Sequence, residues 1–163
     1  MKKHLLVLLL VILSGCVSIE QQRMNIKNDI AEVYSAHYSK EIQQFFVEEA
    51  VNAGVKTIRA MKPSEIRPKT TKNEIVGCAY ANRWSKLILI EVNQPLCVKL
   101  GHLAHEIAHI GSNCDGHNDV FYKYNFKIAK RYEEKFPNAT KRKWWSPVQS
   151  VANVAAIYRN PWC

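Results

Sequence analysis

Residues 96–121 read LCVKLGHLAHEIAHIGSNCDGHNDVF, and they hold four of the chain's six histidines. Leu103, Ile107 and Ile110 recur at helical spacing and would set one face of this segment into a core. His105 and His109 are four residues apart, so their imidazoles stand one turn from each other on the opposite face, with Glu106 flanking them. Ala104 and Ala108 keep the helix slim enough to pack closely. The spacing predicts a helix from near Leu96 to Gly111. There the glycines and asparagine of IGSNCDG (110–116) turn the chain back toward His117. A helix that must be buried on one side and must leave histidines open on the other is the element around which the rest has to assemble.

Working outward, EIVGCAYA (74–81) and WSKLILIEV (84–92) are strand-like runs joined at Asn82-Arg83, which predicts a β-hairpin. Asn93-Gln94-Pro95 ends the second run. VKTIRAM (55–61) is short and β-branched, a further strand, and the proline- and charge-rich stretch 62–73 is a loop. Upstream, apolar residues recur at helical spacing from Asp29 to Ala53 (Ile30, Val33, Tyr34, His37, Ile42, Phe45, Phe46), and Glu49 falls on the same face. Gly54 is the stop. Ser39 can cap a second helix, so the segment is one bent helix or two, with His37 packed in its apolar face. Downstream, Asn118 or Asp119 caps a helix that runs to Phe136 and stops at Pro137. Ser146-Pro147-Val148-Gln149 has the form of a capping box, predicting a last helix over 147–158. The expected fold is therefore α+β: a small antiparallel sheet, the hairpin plus one strand, packed against the histidine-bearing helix and flanking helices.

The chain opens MKKHLLVLLLVILSGC, with two lysines, an apolar run from Leu5 to Leu13, then small residues. Such a run is too short for a permanent membrane helix and has the layout of a secretory leader. Leu13-Ser14-Gly15-Cys16 resembles the lipobox of bacterial lipoproteins. That resemblance implies cleavage after residue 15, acylation of Cys16, and a place in the bacterial envelope facing the periplasm or exterior, on the outer membrane if the host is Gram-negative. Residues 1–15 are then the leader, 16–28 the lipidated cysteine and a polar tether, and 29–163 one domain of a size that supports a core. Losing Lys2 and Lys3 lowers the formal charge from +9 to +7. A basic surface of that size suits anionic lipid, cell-wall polymer or nucleic acid, and export argues against the last. Four cysteines remain besides Cys16, namely Cys78, Cys97, Cys114 and Cys163, an even set that allows two disulfides in an oxidising compartment. Cys114 also lies inside the histidine cluster, where a thiolate can ligate zinc.

HEIAH (105–109) is an HExxH sequence. Two neutral imidazoles a turn apart can hold zinc at about 2.0–2.1 Å. A third protein ligand leaves one position for water, whose pKa falls to about 7. Glu106 is placed to act as general base on that water and to pass the proton to a leaving amine. His117 is the candidate third ligand. Asp115 is the alternative at the position a metzincin would use, but the glycine of that pattern is replaced here by Ser112. Glu133 and Glu134, at the distance of a thermolysin-like ligand, read as a solvated helix face. His102, one turn before His105, is a fourth ligand, supports the ligands or stands exposed. Tyr122 and Tyr124 pack in the core, or one of them reaches an oxyanion. Trp144, Trp145 and Trp162 line a groove or cover the core.

GHNDVF (116–121) after HExxH resembles the GHxxxF element of SprT-like zinc metallopeptidases, and VGCAYANRWSKLILIEV (76–92) resembles the hairpin that precedes their metal helix. The likeness covers about a third of the chain, residues 75–126. It implies a small α+β domain in which His105, His109 and His117 bind Zn2+ and Glu106 is the base. The implied activity is hydrolysis of peptide bonds in a protein, or in the peptide of a cell wall. The chain departs from that family in its export leader, so the family's association with DNA does not carry over. The rival expectation is a non-catalytic envelope lipoprotein that holds metal for a structural or binding role.

Overall fold

The computed structural model describes residues 18–34, 39–62, 79–93 and 96–137, with the backbone alone for 96–98. The expected leader, Cys16, His37, Cys78, Cys163, the thiol of Cys97, the last predicted helix and Trp144, Trp145 and Trp162 lie outside the described residues.

The order of elements is α1 (Ile19–Tyr34), α2 (Lys40–Ala53), β1 (Thr57–Ala60), β2 (Ala79–Asn82), β3 (Leu87–Ile90), α3 (Leu96–Ser112) and α4 (Asp119–Lys135). This is the α+β class expected. Helix α1 begins ten residues before the predicted segment. Ser18 caps it by accepting the Gln21 N–H at 3.1 Å, and Ile26 is fully buried, so the expected tether through residue 28 is cut short at the helix start. The sequence signal was Ser18-Ile19-Glu20-Gln21, a capping-box spacing followed by good helix formers.

There are two helices, not one bent helix, and each end of the second is capped. Ser39 Oγ accepts from Ile42 N at 3.2 Å and starts α2. Gly54 ends α2 in the left-handed region, φ 79°, with its N–H returned to the last turn. That conformation costs glycine nothing and a β-branched residue a great deal.

The hairpin is antiparallel as expected, pairing Ala79 with Ile90 and Asn82 with Leu87. Its turn is longer than predicted, Arg83 to Lys86, and Asn82 Oδ1 braces it by accepting from Trp84 N and Ser85 N at 3.1 and 3.0 Å. The further strand β1 joins on the other side of β3 and runs parallel to it, Thr57 beside Leu87 and Ala60 beside Ile90. The sheet, of order β1-β3-β2, is therefore mixed rather than wholly antiparallel. The apolar run Leu87-Ile88-Leu89-Ile90 takes the centre because it alone among these strands is apolar on both faces.

One core joins the sheet to all four helices: Ile26 and Ile30 of α1, Phe46 of α2, Ile58 of β1, Ile88 and Ile90 of β3, Leu103, Ile107 and Ile110 of α3, and Phe121 and Ile128 of α4. Tyr34 Oη donates to Lys99 O at 3.0 Å, tying the end of α1 to the start of α3. Glu49 is buried on α2 and answered across the molecule by Arg131 of α4, whose Nε lies 2.7 Å from Oε1 and Nη2 2.5 Å from Oε2. A carboxylate so enclosed is tolerated only with such a forked partner.

Directions matter for the site. Gln22 near the start of α1 donates to Val55 O at 2.8 Å, while Asp29 a further two turns on accepts from Ile58 N, so α1 runs alongside β1 in the same sense. Lys56 N donates to Lys86 O at 2.8 Å. The start of α1, the start of β1 and the hairpin turn thus share one end of the molecule, and α3, running back from β3, brings its C-terminus there too.

Candidate metal centre

Helix α3 does not stop at Gly111 as predicted but continues to Ser112. Asn113 makes the turn, in the left-handed region with φ 55°, and the N–H of Cys114 returns to His109 O. Asparagine tolerates that conformation better than most side chains. Gly111 serves a different purpose: a Cβ there would fall inside the Tyr124 ring of α4. Its lack of a side chain lets the two helices that frame the site approach.

The loop then returns His117 to α3 as expected. His105 Nε2 lies 3.2 Å from His109 Nε2 and 2.9 Å from His117 Nε2, and the three imidazoles form the one group of candidate metal donors among the described residues, all within 4.8 Å of one another. Ligands arranged tetrahedrally around zinc at about 2.0–2.1 Å stand roughly 3.3 Å apart, so the triangle is of a size to hold such an ion. Its protonation also fits. His109 Nδ1 is 2.8 Å from Cys114 O, an acceptor only, so Nδ1 carries the proton and Nε2 turns a bare lone pair toward the cluster. All three imidazoles are pushed below the usual histidine range. For His105, burial acts first and the neighbouring rings of His109 and His117 second, taking it to about 3. Burial is also the first cause for His109 and His117. Neutral imidazole is the form that ligates.

Phe121, buried on the first turn of α4, lies beneath all three rings, with centroids 4.8, 4.3 and 4.8 Å from those of His105, His109 and His117. Asn118 positions it by capping α4, accepting from Val120 N and Phe121 N at 3.1 Å. Tyr122 stacks beside His117, and Tyr124 covers Gly111. His117 itself is exposed, so the cluster meets solvent on that side.

Glu106 is buried between α3 and β2, where its carboxyl accepts the backbone N–H of Ala81. Burial pushes it up to about 8, and the Ala81 bond opposes that shift. The hairpin therefore has a second task besides covering the core: Ala81 of its edge strand holds the Glu106 carboxyl.

The alternatives to His117 are drawn elsewhere. Asp115 is exposed and ion-paired to Arg83 of the hairpin turn, Nε to Oδ1 2.8 Å, and Arg83 Nη1 also donates to Asn113 O at 3.0 Å. Cys114, one of the expected disulfide partners, is a free thiol donating to Ser112 O. Its contribution to the cluster is its carbonyl. His102 is not one of the three grouped donors, though its charge reaches His105; its Nδ1 is buried and unpartnered, and its pKa is lowered by burial and partly restored by Glu91. Glu133 and Glu134 are on the solvated face of α4, as read. Sequence reasoning assigned no role to Arg83 or to Phe121. Phe121 was the terminal residue of a noted motif, but nothing local connects Arg83 to a loop thirty residues on.

No protein-family model, curated protein or solved structure matches this chain. Among the described residues, no helix is long and apolar enough to cross a membrane.

Proposed function

We propose that the chain is a zinc metallopeptidase of SprT-like type, anchored by lipid on Cys16 to a bacterial envelope membrane and acting on protein or cell-wall peptide outside the cytoplasm. The observation that carries this reading is the convergence of three neutral imidazole nitrogens, one with its tautomer set by Cys114 O, with a buried glutamate at the residue after His105. His105, His109 and His117 would hold the ion. Zinc, when bound there, supplies a Lewis acid that acidifies water and polarises a carbonyl. Glu106 would take the proton from the attacking water on its carboxylate and release it to the leaving amine. Its carboxyl is neutral near pH 7 in the metal-free protein, and a neighbouring dication favours the ionised form that this role needs. Phe121 keeps the rings in place and dry from below.

The rival is a site that holds metal without turnover, which the burial of Glu106 and its bond to Ala81 favour. One set of proteins separates the two. Residues 17–163 should bind one zinc per chain, His117→Ala should lose or greatly weaken it, and Glu106→Gln should keep the zinc and lose hydrolysis of an unstructured polypeptide. Zinc in the wild type with no turnover on any polypeptide or cell-wall peptide would leave the rival standing. A wild type without zinc would end both.

A further inference from the structure

The metal cluster, the hairpin turn and the start of α1 share one end of the molecule, and that end bears a large exposed aromatic. Trp84 at the tip of the β2–β3 turn is 81 % exposed, more than any other large hydrophobic side chain among the described residues. It is not a loose side chain: Asn82 Oδ1 holds the backbone of Trp84 and Ser85, and the Arg83 guanidinium lies 4.6 Å over the indole. Lys56 and Lys86, whose backbones are joined by a hydrogen bond, add positive charge at the same end. Ile19, at the first turn of α1, is also exposed there.

The chain leading into this end is short. Cys16 precedes Ile19 by three residues, a reach of at most about 10–11 Å. Acyl chains on Cys16 would hold the start of α1, and with it this whole end, against the bilayer. An amphipathic indole near cations is the side chain that settles at the level of lipid headgroups, and anionic headgroups attract Lys56 and Lys86, the Arg83 charge being answered by Asp115.

We propose that this end docks on an anionic phospholipid bilayer, with Trp84 seated among the headgroups, so that the metal centre works at the membrane surface. The proposal rests on the reading of Cys16 as the lipid anchor. Arg83 connects the two functions: its guanidinium lies over the indole, while its contacts to Asn113 and Asp115 hold the loop that delivers His117. The substrate class that follows is polypeptide lying along the bilayer, such as the membrane-proximal segment of another envelope protein.

The test uses the full-length protein purified from bacterial membranes. Mass spectrometry of its N-terminal peptide first reads acylation of Cys16. The protein is then reconstituted in vesicles of phosphatidylcholine and phosphatidylglycerol whose acyl chains carry bromine, a contact quencher of tryptophan. The chain has four tryptophans, so the signal of Trp84 is the wild-type emission minus that of Trp84→Phe. Emission in the difference should fall roughly two-fold on brominated lipid, and less when phosphatidylglycerol is left out. An acylated protein whose Trp84 signal ignores bromine overturns the docking and leaves the anchor intact. Equal quenching on neutral vesicles overturns the part assigned to anionic lipid. An unacylated Cys16 removes the anchor and the docking with it.

Discussion

Glu106 and His105 are neighbours pushed in opposite directions by the same cause. Burial favours the neutral form of each, lifting the carboxyl to about 8 and lowering the imidazole to about 3. For the glutamate, the fold therefore suits the protonated form. The stability this permits is complete below the unfolded value near 4.5 and is lost as pH rises through about 8. For His105, stability is present above the unfolded value near 6.5 and is lost as pH falls toward about 3. Comparing Glu106→Gln with wild type cancels the histidine. In chelator, the variant should be the more stable protein by a margin that grows between pH 5 and pH 8, reaching the order of a few kcal/mol. Urea titrations at the two pH values measure it, and a margin that stays flat or shrinks would place the carboxyl in water.

At the level of elements, the α3–α4 contact decides whether the cluster forms, because two histidines stand on one helix and Phe121 on the other. Gly111 and Tyr124 meet within that contact. Gly111→Ala should cost about 1–3 kcal/mol through overpacking against the ring and weaken metal binding with it. Pairing it with Tyr124→Ala removes the clash, so the double variant should lose less than the two single losses added. Strict additivity in thermal melts would mean the two residues do not meet. Glu49 and Arg131 join α2 to α4, and this explains how a carboxylate can occupy the apolar face that the periodicity of 29–53 marked for the core.

Across the whole molecule the site is a junction of three segments: the hairpin supplies Ala81 and Arg83, α3 supplies His105, Glu106 and His109, and the following loop and α4 supply His117 and Phe121. An ion bound where they meet stabilises all of them against unfolding. At zinc a hundredfold above its dissociation constant the gain is about 2.7 kcal/mol, several degrees in melting temperature for a domain of this size. Scanning calorimetry with zinc and with chelator should show that shift in the wild type and not in His117→Ala. A wild type whose melting ignores zinc would separate the histidine cluster from any metal.

What the sequence by itself determined is local: the helical faces, the i, i+4 pair of His105 and His109, the caps at Ser39 and Asn118, the stop at Gly54 and the antiparallel hairpin. Each depends on residues within a turn or two, where side-chain spacing and backbone conformation are coupled directly. Even there, Ser18-Ile19-Glu20-Gln21 passed as tether because its apolar partners begin only at Ile26, and Gly111 passed as a stop because a glycine that permits close packing looks the same as one that permits a turn. Only the tertiary structure decided that β1 pairs parallel with β3, that Arg83 takes Asp115 away from the cluster, that Cys114 gives it a carbonyl instead of a thiolate, and that Ala81 holds Glu106. The partners in most of these contacts are distant in sequence, and strand direction, burial and hydrogen-bond choice at such distances are settled by how the segments share one core.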